Sequence, residues 1–241
     1  IQDNRTYTED LLLDLADKNL ILEAAPGNLP VIAGSVTTTG GAAKSAILLS
    51  GLWVRDAFLA QGSLDKLTIS HCTMQPGVIG AIDATPGLNP SLTVDIERSV
   101  LGGVILPADS SLEVRDSILQ SVATDGVCSL DGVTVLGGVI AHEIGLISEC
   151  IVTGALNADR RQTGCIRYSF VPSLSVTPKR FRCQPDLALE GVPVAQQAAA
   201  EEFLAQLFDA AQVAVTQPLA MEVGRCHQTH AGSVVTGKLF G

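Results

Sequence analysis

The sequence predicts an all-β chain, a right-handed parallel β-helix (a solenoid) with a C-terminal α-helical appendage. Three observations lead there. A short phrase, one small residue followed by apolar or β-branched residues, recurs at Gly51, Cys72, Ser99, Ser117, Gly132, Cys150 and Ser169, at intervals of 21, 27, 18, 15, 18 and 19 residues. A period near 20 with two or three short strands per unit is that of stacked coils. The string Val100-Leu101-Gly102-Gly103-Val104-Ile105 returns 35 residues later as Val135-Leu136-Gly137-Gly138-Val139-Ile140, as equivalent positions in stacked coils require. Hydrophobic residues make up 46 % of the chain and aromatics only 4 %, with 23 Gly and 11 Pro, which suits thin coils and many tight turns.

In chain order, Thr6-Tyr7-Thr8 and Leu11 to Leu15 read as strands, Asp17-Lys18-Asn19 as a turn, and Leu20 to Ala24 as a strand ended by Pro26-Gly27-Asn28. Val31 to Ala33 and Ser35 to Thr38 complete one or two atypical first coils. The regular coils begin at Ala46, with the single Trp, Trp53, packed at a corner. Met74 to Pro90 is the longest insertion; its Pro76-Gly77, Pro86-Gly87 and Asn89-Pro90 pairs take it out of the stack as a loop. From Ser91 to Gly154 the coils are tightest. Leu67-Thr68-Ile69, Leu92-Thr93-Val94 and Leu112-Glu113-Val114 alternate as strands buried on one side. The seven small anchors are expected to stand in one column, Val100 to point inward, and the Gly-Gly pairs to supply φ > 0 at one bend of consecutive coils. Cys72 and Cys150, at the small-residue position, read as buried reduced thiols serving as small hydrophobes.

The β-helix is placed at residues 1–186. Residues 187–241 form the second unit, capping the stack or docking a partner. Within it, Gln196 to Val213 reads as a helix: Phe203, Leu204, Leu207, Phe208 and Ala211 share one face, with Pro193 near its start.

A formal charge of −10, from 25 acidic and 15 basic residues, argues against a general nucleic-acid binder. No run approaches the ~18 apolar residues of a membrane span. Six cysteines without a CxxC pair favour a reducing compartment and hence the cytoplasm. The chain opens on Ile1 without a signal-like apolar stretch, which reads as a processed or trimmed terminus.

Few residues carry chemistry. Cys226, His227 and His230 are the one local set with zinc-type ligands, short of a fourth. His71-Cys72 are neighbours on a strand, so they face opposite ways and form no Cys–His pair. His142-Glu143 lacks the rest of an HExxH motif. Asp65, Asp95, Asp116 and Asp131 are the carboxylates available to a carbohydrate-cleaving site, but they fall at different places in their coils. Arg160, Arg161, Arg167, Lys179, Arg180 and Arg182 make a local basic cluster in an acidic chain, a candidate contact for an acidic partner.

The strings Arg160-Arg161-Gln162-Thr163-Gly164-Cys165-Ile166-Arg167-Tyr168-Ser169 and Thr177-Pro178-Lys179-Arg180-Phe181-Arg182-Cys183-Gln184-Pro185, with Asp3-Asn4-Arg5-Thr6-Tyr7, Ser70-His71-Cys72-Thr73 and Arg115-Asp116-Ser117-Ile118-Leu119, resemble a signature of uncharacterised bacterial β-helix proteins with the pectin-lyase-like fold. The resemblance covers residues 1–186; the tail departs from it. It implies the fold and an association with phage-tail-like gene clusters, and no catalytic residue. The expectation is therefore a non-enzymatic scaffold without cofactor, bound to subunits of a larger assembly or to itself. The alternatives are a carbohydrate-binding or carbohydrate-cleaving β-helix and a metal-stabilised module.

Overall fold

Parallel strands stack into three ladders that wrap one apolar core, the β-solenoid that the repeat predicts. The computed structural model describes residues 1–16, 18–40, 45–75, 80–85, 89, 91–200, 202, 203 and 206. Sheet 1 runs through Leu20–Glu23, Ser45–Ser50, Leu64–Ser70, Thr93–Glu97, Ser111–Arg115, the ends of Ile118–Asp131 and Val139–Ser148, then Cys165–Arg167 and Lys179–Phe181. Sheet 2 is a narrow ladder whose successive rungs are Thr6, Val31, Trp53, Thr73, Val100, Ile118, Thr134, Ile151, Phe170 and Gln184. Sheet 3 stacks Leu11–Ala16, Val36–Gly40, Phe58–Gln61, Ile82–Asp83, Gly103 to Leu106, Ser121 to Thr124, Val139 to Glu143 and Leu156–Arg160. The strand Ile118–Asp131 contributes to all three ladders in turn.

Alternation within each strand builds the core. On sheet 1, Leu67, Val94, Leu112 and Cys128 form one buried row, and Ile69, Ile96, Val114, Leu130, Ile147 and Ile166 form the next. Sheet 2 adds Val54, Met74, Leu101, Leu119, Val135 and Val152, and sheet 3 adds Phe58, Ile82, Val104, Val122, Val139 and Leu156. Burying each such side chain is worth about 1.5–3 kcal/mol, before the entropy of ordering the chain.

From the Ser45–Ser50 strand onward, every turn passes from sheet 1 to sheet 2 through one residue in the left-handed region. On eight consecutive rungs it is Gly51, His71, Arg98, Asp116, Gly132, Glu149, Tyr168 and Arg182, with φ between 47° and 70°. A non-glycine residue held there costs on the order of 1 kcal/mol or more. Its amide is satisfied by the neighbouring coil: the Arg98 N–H donates to the Arg115 carbonyl, and the Asp116 N–H to that of Asp131.

The residue after this corner turns inward and forms the anchor column, and two expected members are displaced. The column is Leu52, Cys72, Ser99, Ser117, Val133, Cys150, Ser169 and Cys183, because Trp53, Thr73, Val100, Ile118, Thr134, Ile151, Phe170 and Gln184 share the adjacent row. Gly51 and Gly132 stand one residue earlier, on the left-handed corner. Glycine suits that corner, and small size alone did not separate it from the serine position. The same one-residue step puts Val100 on the outside and Leu101 in the core.

The anchor column is a hydrogen-bond ladder as well as a small-residue position. Ser99 Oγ donates to the Glu97 carbonyl at 2.8 Å and accepts from the Cys72 N–H at 3.1 Å. Ser117 Oγ donates to the Arg115 carbonyl and accepts from Ser99 N–H, and Ser169 Oγ serves Arg167 and Cys150 in the same way. Cys150 Sγ donates to the Ser148 carbonyl at 3.0 Å and accepts from Val133 N–H at 3.4 Å. Cys72 and Cys150 are buried and free, as expected of small core thiols, and in addition Cys150 takes the hydrogen-bonding role of serine.

The Gly-Gly pairs are two coils apart, not in consecutive coils, and none of the four has φ > 0. For the second pair the constraint is space: a Cβ on Gly137 would lie 2.6 Å from the Gln120 carbonyl oxygen and one on Gly138 3.0 Å from the Ala155 carbonyl oxygen.

The stack closes at its C-terminal end with Arg180, which takes the inward place above Ile166. Its guanidinium donates to the carbonyls of Val171 at 3.4 Å and Pro172 at 3.1 Å, to Thr177 Oγ1 at 3.0 Å, and to Asp186 at 3.3 Å. A short helix, Asp186–Leu189, follows. Residues 194–200 are helical, which places the predicted helix start two residues early, and Phe203 is 61 % exposed. Leu204, Leu207, Phe208 and Ala211 lie outside the described residues.

Candidate functional site

The outer faces of the three sheets carry the groups available to a ligand or partner. Sheet 1 is the charged face. Its outward residues include Lys66, Asp95, Glu97, Glu113, Arg115 and Asp131, with Asp95 opposite Glu113 and Glu97 opposite Arg115, which in turn is opposite Asp131. Lys66 pairs with Asp95 at 2.7 Å, Arg98 with Glu97 at 3.2 Å, and Arg115 with Glu113. Adjacent strands lie about 4.8 Å apart, so Asp95 and Glu113 are close enough for a carboxylate pair, yet each is already bound to a cation.

Of the four predicted aspartates, Asp116 sits on the corner and Asp65 before the shared rows, so only Asp95 and Asp131 belong to this band. Glu97 and Glu113 complete it. Alignment on Ser99 and Ser117 contains the signal: four residues before each stands Asp95 or Glu113.

The basic cluster divides among unlike roles. Arg160, at the end of sheet 3, pairs with Glu143 at 2.7 Å. Arg167, on sheet 1, donates its Nε–H to Ser148 Oγ at 3.2 Å. Arg180 is the end clamp. Arg182 lies on the left-handed corner with its guanidinium 5.7 Å from the Phe181 ring. Arg161 and Lys179 are exposed on different segments. Arg167 and Lys179 are diagonal neighbours on the outer face of sheet 1 with Arg182 on the adjoining corner, while Arg160 and Arg180 are engaged by Glu143 and by the closing coil. Arg180, Arg182, Leu187 and Glu190 line an open depression of about 730 Å³ between the last coil and the short helix.

Cys226, His227 and His230 lie outside the described residues. Among the described residues no group of three His, Cys, Asp or Glu side chains is placed to hold a metal. His71 is exposed and Cys72 is buried, but neither lies on a strand: the left-handed corner at His71, not strand alternation, separates them. His142 Nδ1 lies 3.4 Å from Asp159 on the next coil. Burial raises the Cys72 thiol above its ordinary value, that of Cys150 to about 11 and that of Cys128 to about 12. All three are thus protonated and poor nucleophiles near neutral pH. Among the described residues no helix is long and apolar enough to cross a membrane.

Sheet 2 differs from sheet 1. From Thr6 to Gln184 its outward row carries no charged residue, and six of its ten members are large and apolar: Val31, Trp53, Val100, Ile118, Ile151 and Phe170. Ile118 is 42 % and Ile151 40 % exposed. The displaced assignment of Val100 hid this row in the sequence. No family model, curated protein or solved structure matches the chain.

Proposed function

We propose that this protein is a non-enzymatic rigid element, a straight spacer or platform within a larger protein assembly of the phage-tail-like kind. The carrying observation is the combination of an unbroken ladder with an uncharged, partly apolar outer row along its whole length. A solenoid converts residue number into length at about 4.8 Å per coil, and a continuous apolar row offers a binding line that no small-molecule site needs.

The test is sedimentation of the tagged chain from cells expressing it at its natural level. The expected result is migration in a particle far heavier than the 25.0 kDa chain. Migration only as a free chain or a small oligomer would refute the role.

A second reading, a carbohydrate-active face, is favoured by Asp95 opposite Glu113, since paired carboxylates ~5–9.5 Å apart serve glycoside hydrolysis. Polysaccharide cleavage lost in Glu113→Gln would support it over the scaffold role.

A further inference from the structure

We infer that the outer face of sheet 2 is the contact between two copies of this chain, lying side by side with their long axes antiparallel. The inference rests on the scaffold reading and names one of its partners.

The argument starts from symmetry. A two-fold axis lying across the ladder leaves each edge of the face on its own side and reverses the order of the rungs. Full overlap of the ten rungs, Thr6 to Gln184, then fixes the register without further choice. In it Val31 meets the second copy's Phe170, Trp53 meets Ile151, and Val100 meets Ile118. Thr73 falls on Thr134. Apolar rungs meet apolar rungs and hydroxyls meet hydroxyls.

The edge shared with sheet 1 obeys the same register independently. Its exposed corner residues place Arg98 against the second copy's Asp116, and Asp116 against its Arg98. One rung from the end, Leu29 (53 % exposed) meets Tyr168 (52 % exposed). On the opposite edge, Arg55 falls on Thr153 and Gln75 on Leu136, so no like charges are opposed there.

The size is adequate. Ten rungs span about 43 Å and three outward rows about 14 Å, or about 600 Å² per copy and about 1,200 Å² in all, at the lower bound of specific interfaces. Sheets 1 and 3 suit self-pairing less well. Two chains of charge −10 repel each other, so a contact face that adds no local like-charge repulsion is favoured. The outward row of sheet 3 is also rich in apolar residues, Leu12, Leu59, Ile105 and Ile140 among them, but Asp83 stands within it, and Asp14, Asp125 and Asp159 lie beside it.

The experiment is sedimentation velocity on the full chain over a concentration series, with circular dichroism as the check on folding. A dimer is expected. Ile118→Lys should weaken it at least about a hundredfold, since the change enters the interface twice. Leu59→Lys, the same kind of change on the outward row of sheet 3, should leave it intact. Arg98→Asp should weaken the dimer about tenfold by facing Asp with Asp116, and Asp tolerates the left-handed corner. The double variant R98D/D116R should restore it. A wild-type monomer at the highest soluble concentration, a dimer unaffected by Ile118→Lys, or one equally lost in Leu59→Lys would overturn the inference. Failure of the scaffold role would show separately, as absence of the heavy particle in cells.

Discussion

Ser99→Ala tests the hydrogen-bond ladder on the inner side of the corner. Ser99 is 2 % exposed, and its Oγ serves two backbone groups, the Cys72 N–H at 3.1 Å and the Glu97 carbonyl at 2.8 Å. The Glu97 carbonyl also accepts from the His71 N–H at 3.1 Å, so it keeps a partner after the substitution. The Cys72 N–H is left buried with none. The cost is the desolvation of one buried donor, about 1–3 kcal/mol, with a small gain from the apolar methyl. For a chain of this size each kcal/mol moves the melting temperature by about 2–4 °C, so a loss of about 3–10 °C is expected. Ser99→Cys keeps an acceptor of the kind already used at Cys150 and should cost less than about 1 kcal/mol. Thermal unfolding followed by circular dichroism, with urea denaturation as a check, measures both. An alanine variant as stable as the cysteine variant would refute the claim that the column is there for hydrogen bonding.

Three further outcomes are expected. Leu101→Asp buries an unpaired charge and should cost several kcal/mol of folding stability, whereas Val100→Asp on the outer row should cost the isolated chain less than about 1 kcal/mol, whatever it does to the pairing of two copies; equal losses in urea denaturation of the dissociated chain would contradict the register. Arg180→Ala should free the last coil, costing about 2–4 kcal/mol locally, read as faster amide exchange at Cys165–Arg167 with little change at Thr93–Glu97. Alkaline stability should follow the buried thiols. Their folded pKa values, about 12 for Cys128 and about 11 for Cys150, lie above the ordinary 9.0, so the stability they confer is whole below about pH 9 and is lost as pH rises toward 11–12. Cys128→Ala should flatten that decline in denaturation curves taken from pH 7 to 11.

The solenoid was legible because its periodicity is written in residue type: small anchor, inward aliphatic, turn. What the sequence left ambiguous was phase. Gly51 and Gly132 are as small as Ser99 and Ser117, but glycine occupies the left-handed corner and serine the hydrogen-bonding place after it. That one-residue slip exchanged the inner and outer faces of sheet 2 and concealed its apolar row. The Gly-Gly pairs showed the repeat but not its cause, which at the second pair is the close approach of Gly137 to Gln120 and of Gly138 to Ala155. The basic residues clustered in sequence yet parted in space, because 160, 167 and 180 belong to a sheet-3 end, a sheet-1 surface and the closing coil. Arg180 could not be read as a clamp from sequence, since its partners are mostly carbonyls.

The left-handed corner has a consequence for how such a chain can diversify. At most of these corners the fold asks of that residue little beyond its backbone angle, and it already accepts His, Arg, Asp, Glu, Tyr and Gly there. Along this ridge, substituents are presented at equal steps on a shaft whose interior need not change. A new recognition pattern can therefore be composed one tooth at a time, as a key is recut without altering its blank.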